Sequence, residues 1–439
     1  MRLAWFSPLP PSTSGIAAYS AELLPFLTGR GHVLDTFTDS NAQDFVWKAR
    51  RQPYDLVVYQ LGNAACHDYM WAYLFHYPGL VVLHDAQLHQ ARALALTRRW
   101  LPRRDDYLAE FCANHPGAPR AIGEVVAAGF GQSLFTHWPH IRLVVESARL
   151  TVVHNRRLLA DLRDRYPSAR FDAIEMGVAD PLRPADPTPP REVRAALGMP
   201  GDAVVLAAFG GMTPEKRIPS LLRVLSTTAH RLPHLRLMLV GQPAGHYDVR
   251  KDAARWGVSD RIHITGYVPD QQLPAYLRAA DICACLRWPT NRETSASWLR
   301  CLAAGRVTLV SDLSDLTDVP TVDPRGWQAL DSVFPNREPV AVSIDVVDED
   351  HSLQLALDGL VPDAARRRRI ESAARGWWAA HHQVAAMADA YERVLPIAAR
   401  TPAPSIALPP HLTDNASEHG RSLARELGVA ERLRDVFPA

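Results

Sequence analysis

Short, wholly apolar runs recur along the chain, separated by longer stretches in which apolar side chains return every three or four positions. A run of strand length with no polar alternation has no wet face. It reads as a strand of a parallel sheet, covered by helices on both sides. Such runs fall at 3–6, 33–37, 56–59, 80–83 and 150–153 in the first half, and at 204–209, 235–240, 262–265, 282–286, 307–310 and 340–344 in the second. Two doubly wound α/β domains follow, each expected to take ligand at the carboxyl ends of its strands. Near the end, Val384, Met387, Ala388, Tyr391, Val394 and Leu395 share one helical face, which predicts a closing helix over 376–395.

Proline punctuates this pattern. The 35 prolines make up about 8% of the chain against an average near 5%. A first cluster, Pro181, Pro184, Pro187, Pro189, Pro190 and Pro200, reads as a linker, because proline lacks an amide donor and holds its predecessor extended. A second, Pro402, Pro404, Pro409 and Pro410, detaches a polar tail with one helix over 418–436. The predicted organisation is a first domain over 1–180, a linker over 181–200, a second domain over 201–375, a closing helix over 376–400 packed on the first domain, and a tail over 401–439.

Charge removes several function classes. Forty-eight basic and 47 acidic side chains leave +1, so no global field recruits nucleic acid. No apolar stretch approaches the roughly 18–20 residues of a spanning helix, and the opening Met1-Arg2-Leu3-Ala4-Trp5-Phe6-Ser7-Pro8 is too short for a signal peptide. The expectation is a cytoplasmic protein. Cys66, Cys112, Cys283, Cys285 and Cys301 are too scattered for a disulfide framework or a CxxC metal site and read as buried thiols.

Candidate chemistry concentrates in loops that follow strands. After 204–209 comes Gly210-Gly211-Met212-Thr213-Pro214-Glu215-Lys216-Arg217. Glycines at a strand end let backbone approach a ligand, and two adjacent cations beside a helix start can neutralise a diphosphate. The competing reading is a tight turn with a solvated Lys-Arg pair. The loop is not GxxxxGK[ST], and no GxGxxG follows any strand, which tells against kinase-like and NAD-dependent readings. A second loop carries Glu293, then Thr294, Ser295, Ala296 and Ser297 at a helix start. Glu293 can accept from sugar hydroxyls while the free amides meet phosphate, or Thr294 or Ser295 simply caps its own helix. Tyr267 and Val268, in Gly266-Tyr267-Val268-Pro269, stand where a nucleobase could lie against backbone.

These loops, in this order and spacing, resemble the C-terminal half of the retaining glycosyltransferases of the nucleotide-sugar group 1 or family 4 type, whose GT-B fold sets two Rossmann-like domains face to face. Lys216 matches the family's lysine. Glu293 looks like the first glutamate of its PS-x-x-E-x7-E stretch, with Pro289-Thr290-Asn291-Arg292 before it, and 301–312 is similar to its EAMAxGxPVVxS segment. Two positions depart: Met212 stands where arginine is usual, with Arg217 beside it, and Arg300-Cys301 occupies the place of the second glutamate. In the first domain the resemblance puts Gly15 near the donor phosphates and makes His84, of the His84-Asp85 pair, the active-site histidine. His67, followed by Asp68, lies on the same acceptor side.

The resemblance implies a metal-independent, retaining transfer of a sugar from a nucleoside diphosphate sugar to a glycan, glycolipid or small-molecule acceptor, without a cofactor and by front-face attack. Lys216 and Arg217, with the amides of Gly211 and of residues 294–297, would meet the leaving diphosphate. A sugar-nucleotide epimerase of the same fold, or a non-catalytic sugar-nucleotide-binding protein, are the alternatives. A metal reading of His84, Asp85 and His89 is disfavoured by the resemblance, and Asp348-Glu349-Asp350 reads as a solvated acidic turn. His154 reads as a satisfied core histidine. Arg92, Arg98, Arg99, Arg103 and Arg104, interleaved with Leu94, Leu96, Trp100 and Leu101, form either a solvated helix face or a basic face for peripheral contact with anionic lipid.

Overall fold

The structure, a computed structural model, describes residues 1–98, 102–183, 188–312, 318–330, 334, 337–414 and 417–433. Arg99, Trp100, Leu101, Pro184 and Pro187, and the last residues of the expected tail helix, lie outside the described residues.

Six strands form the first sheet: β1 (Arg2–Phe6), β2 (Val33–Phe37), β3 (Leu56–Leu61), β4 (Leu80–Leu83), β5 (Leu150–Val153) and β6 (Phe171–Ala173). All are parallel, in the order β2-β1-β3-β4-β5-β6. The second sheet holds β7 (Val204–Phe209), β8 (Leu235–Val240), β9 (Ile262–Ile264), β10 (Ile282–Cys285), β11 (Val307–Ser311), β12 (Thr321–Asp323), β13 (Gln328–Ala329) and β14 (Ala341–Ile344). Its order is β13-β12-β14-β11-β10-β7-β8-β9, parallel except for β13 at the edge. The apolar runs become the central strands: the core positions of β1, β4, β5 and β11 are buried on both faces, as helices on each side of a parallel sheet require. The short strands β6, β12 and β13, at or next to a sheet edge, carry no such run and were not legible.

In each sheet the chain starts near the middle, moves one way, and returns to the other side of its first strand. The reversals fall between β1 and β3 and between β7 and β10, and a crevice opens at the strand ends where such a reversal occurs.

Three expected segments differ in detail. The proline-rich 181–200 stretch contains a helix, Pro190–Ala196, with Pro190 at its first position, where the missing amide costs nothing. Val193 anchors this helix in an apolar cluster with Met199. The closing helix is a pair, Ala364–His381 and Val384–Arg400, broken where His382 Nδ1 bonds the Met176 carbonyl at 2.9 Å. The second of the pair lies on the first domain, its Tyr391 ring 5.7 Å from that of Trp5 and its hydroxyl 2.8 Å from that of Tyr19. The tail does not detach: Leu412 is buried in the first-domain core with Ile406 and Leu408 against it, and His411 Nε2 lies 2.8 Å from Glu110. A helix at Ser417–Glu426 follows.

Among the described residues no helix is long and apolar enough to cross a membrane. All five cysteines are free thiols, Cys283 and Cys301 buried and the other three half-buried.

Candidate functional site

The crevice between β7 and β10 gathers the densest chemistry. Backbone leaves β7 through Gly210 at φ +91°, and a Cβ there would sit 2.5 Å from Lys216 Nζ. Glycine is therefore required twice, by conformation and by space. The Lys216 side chain folds back into the gap, its ammonium donating to the Phe209 carbonyl at 2.5 Å. From the end of β10, Arg287 pairs with Glu293 at 2.7 Å. Glu293 also accepts from Thr290 Oγ1 at 3.1 Å and from the Asn291 amide at 2.9 Å. Lys216, Arg287, Glu293, Ser295 and Ser297 line one small pocket. Burial, then the neighbouring Arg287 charge, pushes the Lys216 ammonium down to about 8. Two cations held near each other against one carboxylate leave an excess of positive charge that an anionic ligand would relieve.

That pocket opens on a cleft of about 1030 Å³ between the two sheets. Gly15, at the start of the helix Gly15–Gly29, enters it from the first domain, and Gly211, Lys216, Tyr267, Val268 and Ser297 from the second. These expected donor-side residues are thus brought together. Others are not. Arg217 turns away, its guanidinium spread over Glu349 at 2.7–3.0 Å, which joins two helices, Ile218–Thr228 and Glu349–Leu360, behind the sheet. Ser295 lines the small pocket, but its hydroxyl is committed to capping the helix Ala296–Ala303, accepting from the Trp298 amide at 3.3 Å. Ala296 packs at the edge of the core, and Thr294 lines a separate cavity.

On the first domain the expected roles divide unevenly. His84 is buried, with Nε2 2.8 Å from Gln60 Oε1 and Nδ1 3.3 Å from His154 Nε2. Burial, with His154 and His67 nearby, holds its imidazole neutral, well below the usual range. Both ring nitrogens are thus engaged in the interior. His154 Nδ1 in turn faces the Ile174 carbonyl at 2.9 Å, the satisfied histidine expected of it. His67 is buried too, Nδ1 at 3.0 Å from the Gln60 carbonyl, and its pKa falls to about 4 through desolvation. Asp85 is the half-buried member that reaches the seam. Its Oδ2 accepts from the Asn63 amide at 2.6 Å. Burial, then the charge of Glu293 in the other domain, raises it to about 7. The next residue, Ala86, donates its amide to the Asn291 carbonyl at 2.9 Å across the seam.

Three contributors escaped the sequence reading. Arg287 stands directly after the buried run 282–286, and that position was the available signal. Arg300 lines the cleft and pairs with Glu22 of the first domain at 2.8 Å. Gly62 has Asp85 Oδ2 and His67 Nε2 within 3.0–3.1 Å of where its Cβ would be. Two surface readings change as well. Asp348, Glu349 and Asp350 are tied to Arg325, Arg217 and Arg223, and Glu349 is buried rather than solvated. Arg92 is not part of a basic face: it is buried over the Trp71 ring and bidentate to Glu110 at 2.5–2.8 Å. Arg98, Arg103 and Arg104 remain exposed.

Two facing doubly wound sheets with a cleft at their strand ends define the GT-B class of fold, and similarities to known proteins agree. The chain covers 90% of its length on sucrose-phosphate synthase from Thermosynechococcus elongatus, 98% of that chain, at TM-score 0.63 and 15% identity. It covers 90% of its length on Alr3699/HepE of Anabaena in complex with UDP and glucose, 99% of that chain, at TM-score 0.55 and 13% identity. At such identities the likeness is one of fold. Residues 203–339 match the family Glycosyl transferases group 1. A GDP-mannose-dependent alpha-(1-6)-phosphatidylinositol monomannoside mannosyltransferase of Mycolicibacterium smegmatis is 26% identical over 211 residues, 48% of this chain and 52% of that one. The chain thus spans about half the length of that relative. In fold and in its matched segment it resembles the GT-B glycosyltransferases of group 1.

Proposed function

We propose that this chain transfers a sugar from a nucleoside diphosphate sugar to an acceptor hydroxyl, with retention at the anomeric carbon and without a metal ion. One observation carries the reading: Lys216, Arg287 and Glu293 converge at the β7/β10 reversal, beside the glycine backbone of 210–211, at the mouth of a cleft shared by both domains. As the bond from the anomeric carbon to the diphosphate oxygen breaks, negative charge grows on the departing phosphate. Lys216, Arg287 and the Gly211 amide offset it with fixed positive charge, requiring little reorganisation. Glu293, already oriented by Arg287, Thr290 and the Asn291 amide, accepts from the donor sugar's hydroxyls. The acceptor oxygen attacks on the face the diphosphate leaves, and its proton passes to a departing phosphate oxygen. Asp85 presents its carboxyl from the acceptor side, held by the Asn63 amide, and His84 stays in the interior with Gln60 and His154 rather than touching substrate. Closure of the cleft aligns the reactants and keeps water from the donor.

The relative's name supports a nucleotide-sugar donor and a glycolipid as one class of acceptor; glycans and small molecules are the others. Thermal melts with UDP-, GDP-, ADP- and TDP-sugars test the donor, since a ligand at a hundredfold excess over its Kd stabilises by about 2.7 kcal/mol. One nucleotide series should raise the melting temperature, and analysis of products should show the sugar transferred with its anomeric configuration kept. No stabilisation by any of them, or strict dependence on a divalent cation, defeats the proposal.

A further inference from the structure

A second cavity lies where both domains meet the closing helix pair, and the transfer reading leaves it unused. Its volume is about 40 Å³. Asn155 and Glu175 line it from the first domain, Thr294 and Asp318 from the second, and Trp377 from the helix Ala364–His381. Three polar atoms on these side chains have no hydrogen-bond partner among the described residues: Asn155 Nδ2, Thr294 Oγ1 and Trp377 Nε1. Asn155 is only 5% exposed. Its Oδ1 is already occupied, accepting from the Leu158 amide at 2.7 Å as the cap of the helix Arg156–Arg165. The side chain is therefore fixed, and its amide nitrogen is left to the cavity. Buried donors without partners are costly, and three on one cavity imply an occupant that accepts from them.

The opposite demand comes from the carboxylates of Glu175 and Asp318. Asp318 already accepts from the Arg156 amide, and Glu175 lies 3.8 Å from His381. A phosphate or carboxylate would meet two negative groups, and an ammonium ion would leave the amide and indole donors unmet. A hydroxyl both donates and accepts, so a cluster of hydroxyls satisfies both sets. The Trp377 ring offers an apolar wall to the carbon skeleton. A volume near 40 Å³ holds about three probe-sized groups.

We propose that this cavity is a binding site for a small uncharged polyol of about glycerol's size. The site does not depend on the transfer reading, and it is tested without any donor present. Saturation-transfer NMR on the full chain, with glycerol and erythritol as probes, should give a saturable signal. Three substitutions separate recognition from folding. Asn155→Asp keeps the oxygen that caps the helix and removes the amide donor; Thr294→Val keeps shape and removes the hydroxyl, and Trp377→Phe removes the indole N–H while keeping an aromatic, smaller ring. Variants that melt like the parent should bind about tenfold more weakly, as loss of one buried hydrogen-bond partner predicts. A signal that never saturates, equal binding by parent and variants, or displacement of glycerol by inorganic phosphate would overturn the assignment.

Discussion

At the residue scale the two neighbours Lys216 and Arg217 separate cleanly. Lys216 faces the cleft with Arg287, whereas Arg217 serves Glu349 behind the sheet. Lys216→Ala and Arg287→Ala should each lower turnover on the order of 100- to 1000-fold, as removal of a charge-stabilising group typically does, and should weaken binding of the free nucleoside diphosphate. Arg217→Ala should leave that binding intact and instead lower stability by roughly 1–3 kcal/mol, because the buried Glu349 loses its partner. Calorimetric titration of the diphosphate beside thermal melts distinguishes the two; equal loss of affinity in all three variants would put Arg217 back in the cleft. Gly210→Ala makes a stricter test of geometry. Its Cβ meets Lys216 Nζ at 2.5 Å in a backbone of φ +91°, so the lysine must move, and the variant should lose affinity for diphosphate with the fold retained.

At the element scale, attachment to a core matters more than local composition. The tail was read as detached because prolines and polar residues dominate it, yet one side chain, Leu412, fills a place in the first-domain core. Leu412→Ala should cost about 2–3 kcal/mol, at the lower end for a buried leucine, and make 401–433 sensitive to protease. Unchanged melting and unchanged cleavage would show that the segment merely rests there. The closing helix follows the same logic. Its apolar stripe was visible, and Tyr391, Val394 and Leu395 are fully buried, but the break at His382 depends on a carbonyl of Met176, which no periodicity reports.

At the scale of the whole molecule, the first domain and the closing helix pair packed on it bury a set of histidines. His67 and His154 are lowered to about 4, His115 to about 3 and His89 to about 2, in each case chiefly by desolvation; His84, His140 and His382 move the same way. Below the unfolded value near 6.5 the unfolded chain takes up protons that the folded one refuses. Each such group therefore costs up to about 1.4 kcal/mol per pH unit until its folded pKa is reached. Asp85 has the opposite sign: raised to about 7, it favours the folded state at low pH, and that contribution is lost as pH rises from about 4 to 7. Asp318 and Glu371 are raised too, chiefly by burial, but these three carboxyls against seven imidazoles leave a net loss on acidification. Melting temperature should fall steeply from pH 6.5 toward pH 4, and His115→Gln should flatten the slope. A profile that is level over this range would mean that these rings are protonated in place.

The sequence by itself determined the two parallel sheets, the central strands and the loops that follow β7 and β10, because a strand buried on both faces must be apolar throughout and a backbone that approaches a ligand needs glycine. It also marked Lys216 and Glu293 in those loops and Tyr267 and Val268 after β9, and the structure puts them around one cleft. Which of two adjacent cations turns toward that cleft was a tertiary matter, since Glu349, far along the chain, supplies the partner that withdraws Arg217. The same holds for Arg287, whose worth depends on lying between Lys216 and Glu293. It holds for His84, which a Gln60–His154 network draws inward, and for Asp85, whose pKa is raised by burial and then by Glu293 of the second domain. Hydrophobic pattern is a property of single elements and survives in one dimension; charge pairing and desolvation depend on distances between remote residues, which only the folded chain sets.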